Sequence, residues 1–498
     1  MPRRGEARIR RHGTMRVSAA TGAAAGAAAV FQVACTGFTL GENQPGQDTY
    51  LGSGAIAVDP ITETSFVLRW TDRPGTYDTE RERQAIFAVP PDGDGAARVA
   101  DVTGLSDIRM LFPRDGVLVM GERSDGGVER DELRLLDRWT YTTLRSAVAP
   151  TRYNGTRLSP SRVWLAVADN NRSDAPIHIL DTRTLEARVV PHGGEWLEAM
   201  WLHGSDRLLS IVFYGCGTVL DCGEADDPSA RILSWDVEAV ASQGFPVGPD
   251  GLWPAPDLDV TVPGVTGDLA FSFTWIGVSP DDRWAVFPVQ QRPETATDAW
   301  TPRLLVLDLT TFEVRTVDNA HGPVGFTPDG STIVSYRYTE EEGGTTVPQL
   351  LLVDPVTLAT ETVDLPLTGL PSYFVTREGN FVVVSSVLGS DDELLLYDID
   401  SRRLASLGGP NVQLGEFVSR IGHGELWIVD EGLYRLDFME GTLERVPIGW
   451  TPRHVNILPA RDLLVLDDSP SSSGDATRLV FLGPETLDVV RSVALPAP

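Results

Sequence analysis

Three kinds of side chain in this sequence have the chemistry to bind or react: a pair of cysteines in an acidic loop, clustered carboxylates, and aromatic and histidine residues at recurrent positions. Cys216 and Cys222 lie in YGCGTVLDCGEADDPSAR, residues 214 to 231, a separation that permits a small disulfide ring in an oxidising compartment. Asp221, Glu224, Asp226 and Asp227 beside them are hard oxygen ligands that match a thiolate metal site poorly, so the pair reads as a disulfide. Calcium suits such carboxylates better, at Asp226 and Asp227 or at Asp92-Gly93-Asp94-Gly95. Neither place has the complete calcium loop with its terminal Glu, and Asp92 to Gly95 reads as a hairpin turn. Calcium is thus the one cofactor left open, and no metal ligand set is assigned.

Familiar catalytic apparatus is missing. All 41 basic residues are arginine, which removes Schiff-base lysines, pyridoxal-phosphate attachment and the lysine of phosphate-binding loops. No G-x-S-x-G elbow and no H-E-x-x-H zinc motif occurs, and no catalytic residue is assigned. The formal charge of -29 argues against a nucleic-acid partner, which needs a basic surface to displace counterions from phosphate.

These residues need a frame, and 498 residues exceed the usual single core unless the chain repeats. With 48 glycines and 35 prolines, turns are frequent. A unit of strand, tight turn, strand, polar loop, strand, turn and strand is clearest in GFTPDGSTIVSYRY followed by QLLLVDPVTLATETVDL. Its first turn has cognates at Asp59-Pro60, Asp115-Gly116, Ser161-Arg162, Ser205-Asp206, Asp281-Asp282, Asp329-Gly330, Glu378-Gly379, His423-Gly424 and Arg461-Asp462. The second hairpin recurs as IHILDTRTLEARVV, RLLVLDLTTFEVRTV, ELLLYDIDSRRLASL and others. In each, an Asp after an apolar strand caps the turn, and Thr-Leu or a similar pair opens the return strand. A four-stranded sheet cannot cover both of its apolar faces alone, so the units must pack face to face around an axis. The expected fold is all-β: one ring of eight or nine four-stranded blades, a β-propeller, over residues 51–498.

The repeats resemble TolB-like and YVTN-type propeller repeats. Ser-Pro-Asp-Asp at 279 to 282 and Thr-Pro-Asp-Gly at 327 to 330 are similar to their Ser-Pro-Asp-Gly turn, and VPIGWTPRHVNILPARDLLVLD at 446 to 467 is similar to the YVTN unit, with Gly449 and Pro452 matching. The resemblance implies architecture and leaves function open, because these families include protein-binding envelope components, sugar and metal binders, and enzymes.

Arginines at 3, 4, 8, 10, 11 and 16 precede an Ala/Gly-rich run that ends Phe31-Gln32-Val33-Ala34-Cys35, the layout of a secretory signal over residues 1–34. Translation starts at Met1 or at Met15. The segment resembles a lipoprotein signal, although Gln32 stands where that family has an aliphatic residue, and the resemblance implies lipidation of Cys35. Residues 35–50 then read as a tether. The expected location is the bacterial cell envelope, outer-membrane-associated or periplasmic/extracellular, with contact to a membrane through the lipid anchor only.

In such a meander the loops between second and third strands share one end of the ring with the connections between blades. The former are the long ones, and acidic residues outnumber arginines in them, among them Glu340, Glu341, Glu342, Asp391 and Asp392. Tyr153, His192, Trp196, Trp201, His321, Tyr373, Trp450 and His454 fall at or beside interblade connections on the same end. There they either pack blade against blade or stack on a sugar or peptide. The expected function is a protein- or ligand-binding scaffold, with a protein or peptide partner, for which the acidic loops favour a cationic one, or a saccharide. The alternative is a calcium-assisted hydrolase or lyase with its site in the channel.

Overall fold

In the computed structural model of the protein the described residues are 49–51, 55–72, 81–125, 128–149, 155–168, 177–190, 195–214, 229–242, 255–262, 269–271, 276–291, 301–340, 346–367, 371–386, 393–408, 417–468 and 477–498. They lie within one compact unit, Leu40–Pro498. Nine antiparallel sheets follow one another along the chain: blade 1 (57–101), 2 (106–148), 3 (155–190), 4 (195–261), 5 (269–318), 6 (321–364), 7 (371–406), 8 (417–446) and 9 (455–494). Each is built on a four-stranded meander in chain order, the first strand of blade 5 being split into Leu269–Phe271 and Gly277–Val278, which both pair with Trp284–Gln291, so the protein is a nine-bladed β-propeller.

Burial shows how the strands are layered. First strands touch between blades 3 and 4, 5 and 6, 6 and 7, 8 and 9, and 9 and 1, whereas fourth strands such as Thr143–Val148 are largely exposed and form the rim. Middle strands are apolar on both faces, as in Glu425–Val429, where every residue is buried, because each blade is covered by a neighbour on either side. Nine hydrophobic clusters fill the nine interfaces, one per pair of adjacent blades. The last joins blade 9, through Leu458, Val465 and Phe481, to blade 1, through Ile56, Val67 and Phe87. Among the described residues no strand is exchanged between these two blades. Closure rests on that core and on polar ties: Asn456 donates to the Ile56 carbonyl at 2.9 Å, Arg461 pairs with Glu63 at 2.7 Å, and Arg69 donates to the Pro496 carbonyl at 2.8 Å.

All nine turn cognates fall between a first and a second strand. Glu63, Arg162, Asp282, Gly330, Gly379, Gly424 and Asp462 in these turns have φ between 50° and 71°, the left-handed conformation that reverses the chain sharply. Their acidic residues also reach sideways. Asp206 accepts from the Ser161 backbone N–H at 3.0 Å, Asp282 from that of His203 at 2.7 Å, and Glu378 from that of Gly424 at 3.0 Å. The turn that closes one blade therefore also ties it to the next.

The turns between third and fourth strands form as the Asp pattern predicts. Asp137, Asp308, Asp354, Asp398 and Asp437 each accept from backbone N–H groups two and three residues on. One detail differs: Leu185, Leu358 and Leu487 of the Thr-Leu pairs sit at φ near 60°, inside the turn and not on the return strand. Blade 4 departs from this scheme with a helix, Val237–Ser242, between its third and fourth strands, started by Asp236 capping the Ala239 N–H at 2.8 Å. That insertion lengthens the interval between the Asp206 and Asp281 turns.

Thr49 and Tyr50, the last residues of the stretch read as a tether, form a short strand. It pairs antiparallel with the first strand of blade 2, Thr49 opposite Met110 and Tyr50 opposite Arg109, on that blade's axis side. Leu51 is fully buried against blades 1 and 2.

Candidate functional site

Of the residues singled out in the sequence, Cys35, Tyr153, His192, Cys216, Cys222, Glu341, Glu342, Asp391 and Asp392 lie outside the described residues. Glu340 ends the second strand of blade 6, opposite Thr346, and Trp196 is in the first strand of blade 4, opposite Val212; their side chains are outside the description. Trp201 is packing: its indole N–H donates to the Arg157 carbonyl of blade 3 at 2.8 Å. Asp92 to Gly95 is the turn between the third and fourth strands of blade 1. Among the described residues no group of three or more His, Cys, Asp or Glu side chains is placed to hold a metal ion.

His321 and Tyr373 are brought together. His321 opens the first strand of blade 6 and lies opposite Tyr336 of the second, with an irregularity in register before Gly325. Its ring stacks on Tyr336 with centroids 5.4 Å apart and meets Tyr338 edge-on at 5.3 Å. Tyr336 in turn meets Tyr373 of blade 7 edge-on at 5.4 Å. Gly325 admits blade 7 closely here, since a Cβ on it would stand 2.8 Å from Val375. Burial lowers the His321 imidazole from 6.5 to about 4 and raises the phenols of Tyr336, Tyr338 and Tyr373, so the cluster is uncharged at neutral pH. The Nδ1 atom of His321 is buried without a hydrogen-bond partner. The cluster is an aromatic wedge between two blades. Tyr336 and Tyr338 escaped sequence reading because they become neighbours of His321 only through the strand pairing; the alternation in Ser335-Tyr336-Arg337-Tyr338 was the available signal.

Trp450 and His454 converge at the loop-bearing end of blade 9. Asp467, at the end of the second strand and fully buried, accepts the backbone N–H groups of Arg453 and His454 at 2.8 Å each, and its second oxygen lies 3.3 Å from His454 Nδ1. Burial alone would raise the Asp467 carboxyl, but His454 and the two backbone donors outweigh it and hold it below its ordinary value. The Asp thereby fixes the connection from blade 8 and the orientation of the imidazole. Beside it, Arg478 stands 6.0 Å over the Trp450 ring and pairs with Asp468. Trp450 is half-buried, and its indole N–H has no hydrogen-bond partner. A partly exposed aromatic ring whose indole N–H is buried, a guanidinium and a buried anion form a polar-aromatic corner suited to stacking.

No protein-family model matches the chain, and no curated protein matches it. Among solved structures it is similar to an oligogalacturonate lyase from Vibrio parahaemolyticus, at 14% identity over 85% of this chain and 95% of that one, with a TM-score of 0.39. It is also similar to the β-propeller domain of the Trilobed protease from Pyrococcus furiosus, at 12% identity over 68% and 96%, with a TM-score of 0.38. A third likeness is to dihydro-heme d1 dehydrogenase NirN, at 11% identity over 74% and 72%, with a TM-score of 0.43. At these identities no activity transfers.

Proposed function

We propose that the protein is a recognition scaffold of the cell envelope, exported and held by lipid on Cys35, whose loop-bearing end binds a protein, peptide or saccharide. One observation carries this reading: the two ends of the ring are built differently. In most blades the tight-turn end is capped by its own Asp residues and tied blade to blade by its turn carboxylates. The other end carries every interblade connection and every loop between second and third strands, and the corner of Trp450, His454, Asp467 and Arg478 lies there. A rigid ring beneath extended loops holds contact residues in place at low entropic cost. The acidic loops favour a cationic partner, and a disulfide between Cys216 and Cys222 would stiffen the longest of them.

The test begins with capture of a partner from native envelope by the mature protein. A variant with Glu340, Glu341 and Glu342 changed to Gln and Asp391 and Asp392 changed to Asn is expected to bind that partner more slowly and with a flatter salt dependence, at unchanged melting temperature. Unaltered association rate and salt slope would reject the acidic face as the binding surface. Trp450→Ala distinguishes the corner from the loops: loss of affinity without faster unfolding places the contact at Trp450.

A further inference from the structure

We propose that the tight-turn end of the ring is a lipid-docking face, turned toward the membrane that holds the N-terminus, so that the loop-bearing end points away from it. The proposal rests on the exported, Cys35-anchored reading and adds to it an orientation and a second surface.

Two observations carry it. The first is the direction of the chain at Thr49–Tyr50. The first strand of blade 2, Ser106–Leu111, runs toward the tight turn at Asp115-Gly116, and the N-terminal strand runs antiparallel to it with Thr49 opposite Met110. Followed back toward the N-terminus, the chain at Thr49 therefore heads for the tight-turn end. The 13 residues from 36 to 48 span at most about 45 Å when extended, enough to let that end of the ring lie on the surface to which Cys35 is fixed.

The second observation is where apolar side chains are left in water. Among the described residues, which leave out most loops of the opposite end, Ile61, Trp139, Phe312, Val356, Ile421, Met439 and Leu487 are exposed large hydrophobics at turns, all at the tight-turn end, and the others, Leu144, Val148, Val489 and Val490, lie on fourth strands at the rim. Trp139 is 73% exposed and Met439 76%. Neither contributes to a hydrophobic cluster of the ring. The exposed turn residues are spread round the ring, Ile61 on blade 1, Trp139 on blade 2, Phe312 on blade 5, Val356 on blade 6, Ile421 and Met439 on blade 8 and Leu487 on blade 9, and Trp139 is on the blade where the N-terminal strand is paired. Scattered apolar tips on rigid turns, with a Trp among them, suit shallow insertion at a lipid interface better than a protein pocket. The same turns are rich in carboxylates, so the fitting surface is zwitterionic lipid, and anionic lipid should weaken the contact.

The test uses the mature chain, with hexahistidine in place of the lipid, on phosphatidylcholine vesicles containing a nickel-chelating lipid. A fluorophore is attached through Met439→Cys at the tight-turn end, or through Thr477→Cys at the opposite end, where Thr477 is exposed. The unsubstituted protein is treated identically as background. A quencher in the lipid is expected to quench the label at position 439 several-fold more than that at 477. Equal quenching, or stronger quenching at 477, overturns the orientation. The triple variant Trp139→Ser, Ile421→Ser, Met439→Ser is expected to lose about tenfold of its untethered partitioning onto phosphatidylcholine vesicles, and unchanged partitioning overturns the lipid contact. Shielding of position 439 that appears only when envelope proteins are added would give the face to a protein instead and also overturn the proposal. Binding of the captured partner by the loop-bearing end should be unaffected in the triple variant, so recognition and lipid docking can fail separately.

Discussion

His321 makes blade 6 sensitive to acid in a window separate from that of the carboxylates. Its imidazole titrates near 6.5 when exposed and at about 4 in the folded protein because it is buried. The folded value is the lower one, so as pH falls below 6.5 the unfolded chain takes up a proton that the folded chain refuses, and stability drops until pH reaches about 4. The difference amounts to roughly 3 kcal/mol when fully developed and roughly 2 kcal/mol at pH 5, against about 0.2 kcal/mol at pH 7. Phe in place of His321 keeps a ring stacked on Tyr336 and removes both the titration and the unpaired Nδ1. His178, also lowered by burial, is common to both proteins and cancels in the comparison. The assay is amide exchange followed by mass spectrometry over strands 321–340, with urea unfolding in parallel, at pH 7, 6 and 5. The expected result is that the stability of the wild type relative to His321→Phe falls by roughly 2 kcal/mol between pH 7 and 5. Parallel pH profiles would show that the imidazole protonates in place and would refute the burial argument.

Two further outcomes follow from the turns. Asp354→Ala removes the acceptor of the Val356 and Thr357 N–H groups, at 2.7 and 3.0 Å, and is expected to cost about 1 kcal/mol by thermal unfolding; Asp354→Asn should recover most of it. Leu487, at φ 59° and exposed, stands where a left-handed backbone disfavours a side chain, so Leu487→Gly is expected to raise stability by about 0.5 kcal/mol after the entropy of the added glycine is subtracted. A fall in melting temperature would show that its packing outweighs the strain.

What the sequence determined by itself was whatever depends on neighbours along the chain. The nine turn cognates and the capping Asp of the second hairpin follow from the φ preferences of a few residues and from side chains that reach two or three positions ahead, so the repeating four-stranded unit and the all-β class were legible. Eight or nine blades could be expected from those signals, but the choice of nine was made by ring closure, through the hydrophobic cluster that holds both Phe481 and Phe87 and through the ion pair of Arg461 with Glu63, residues far apart in the chain that no local signal links. The same distance hid the candidate site. His321 and Tyr373 were picked out because they lie at interblade connections, yet their meeting through Tyr336 depends on strand register and on the close approach of Val375 to Gly325. Asp467 beneath His454 depends on the pairing of two strands across a turn. Whether an aromatic side chain packs between blades or faces a ligand is decided by how adjacent sheets stack around the axis, and only the tertiary structure fixes that stacking.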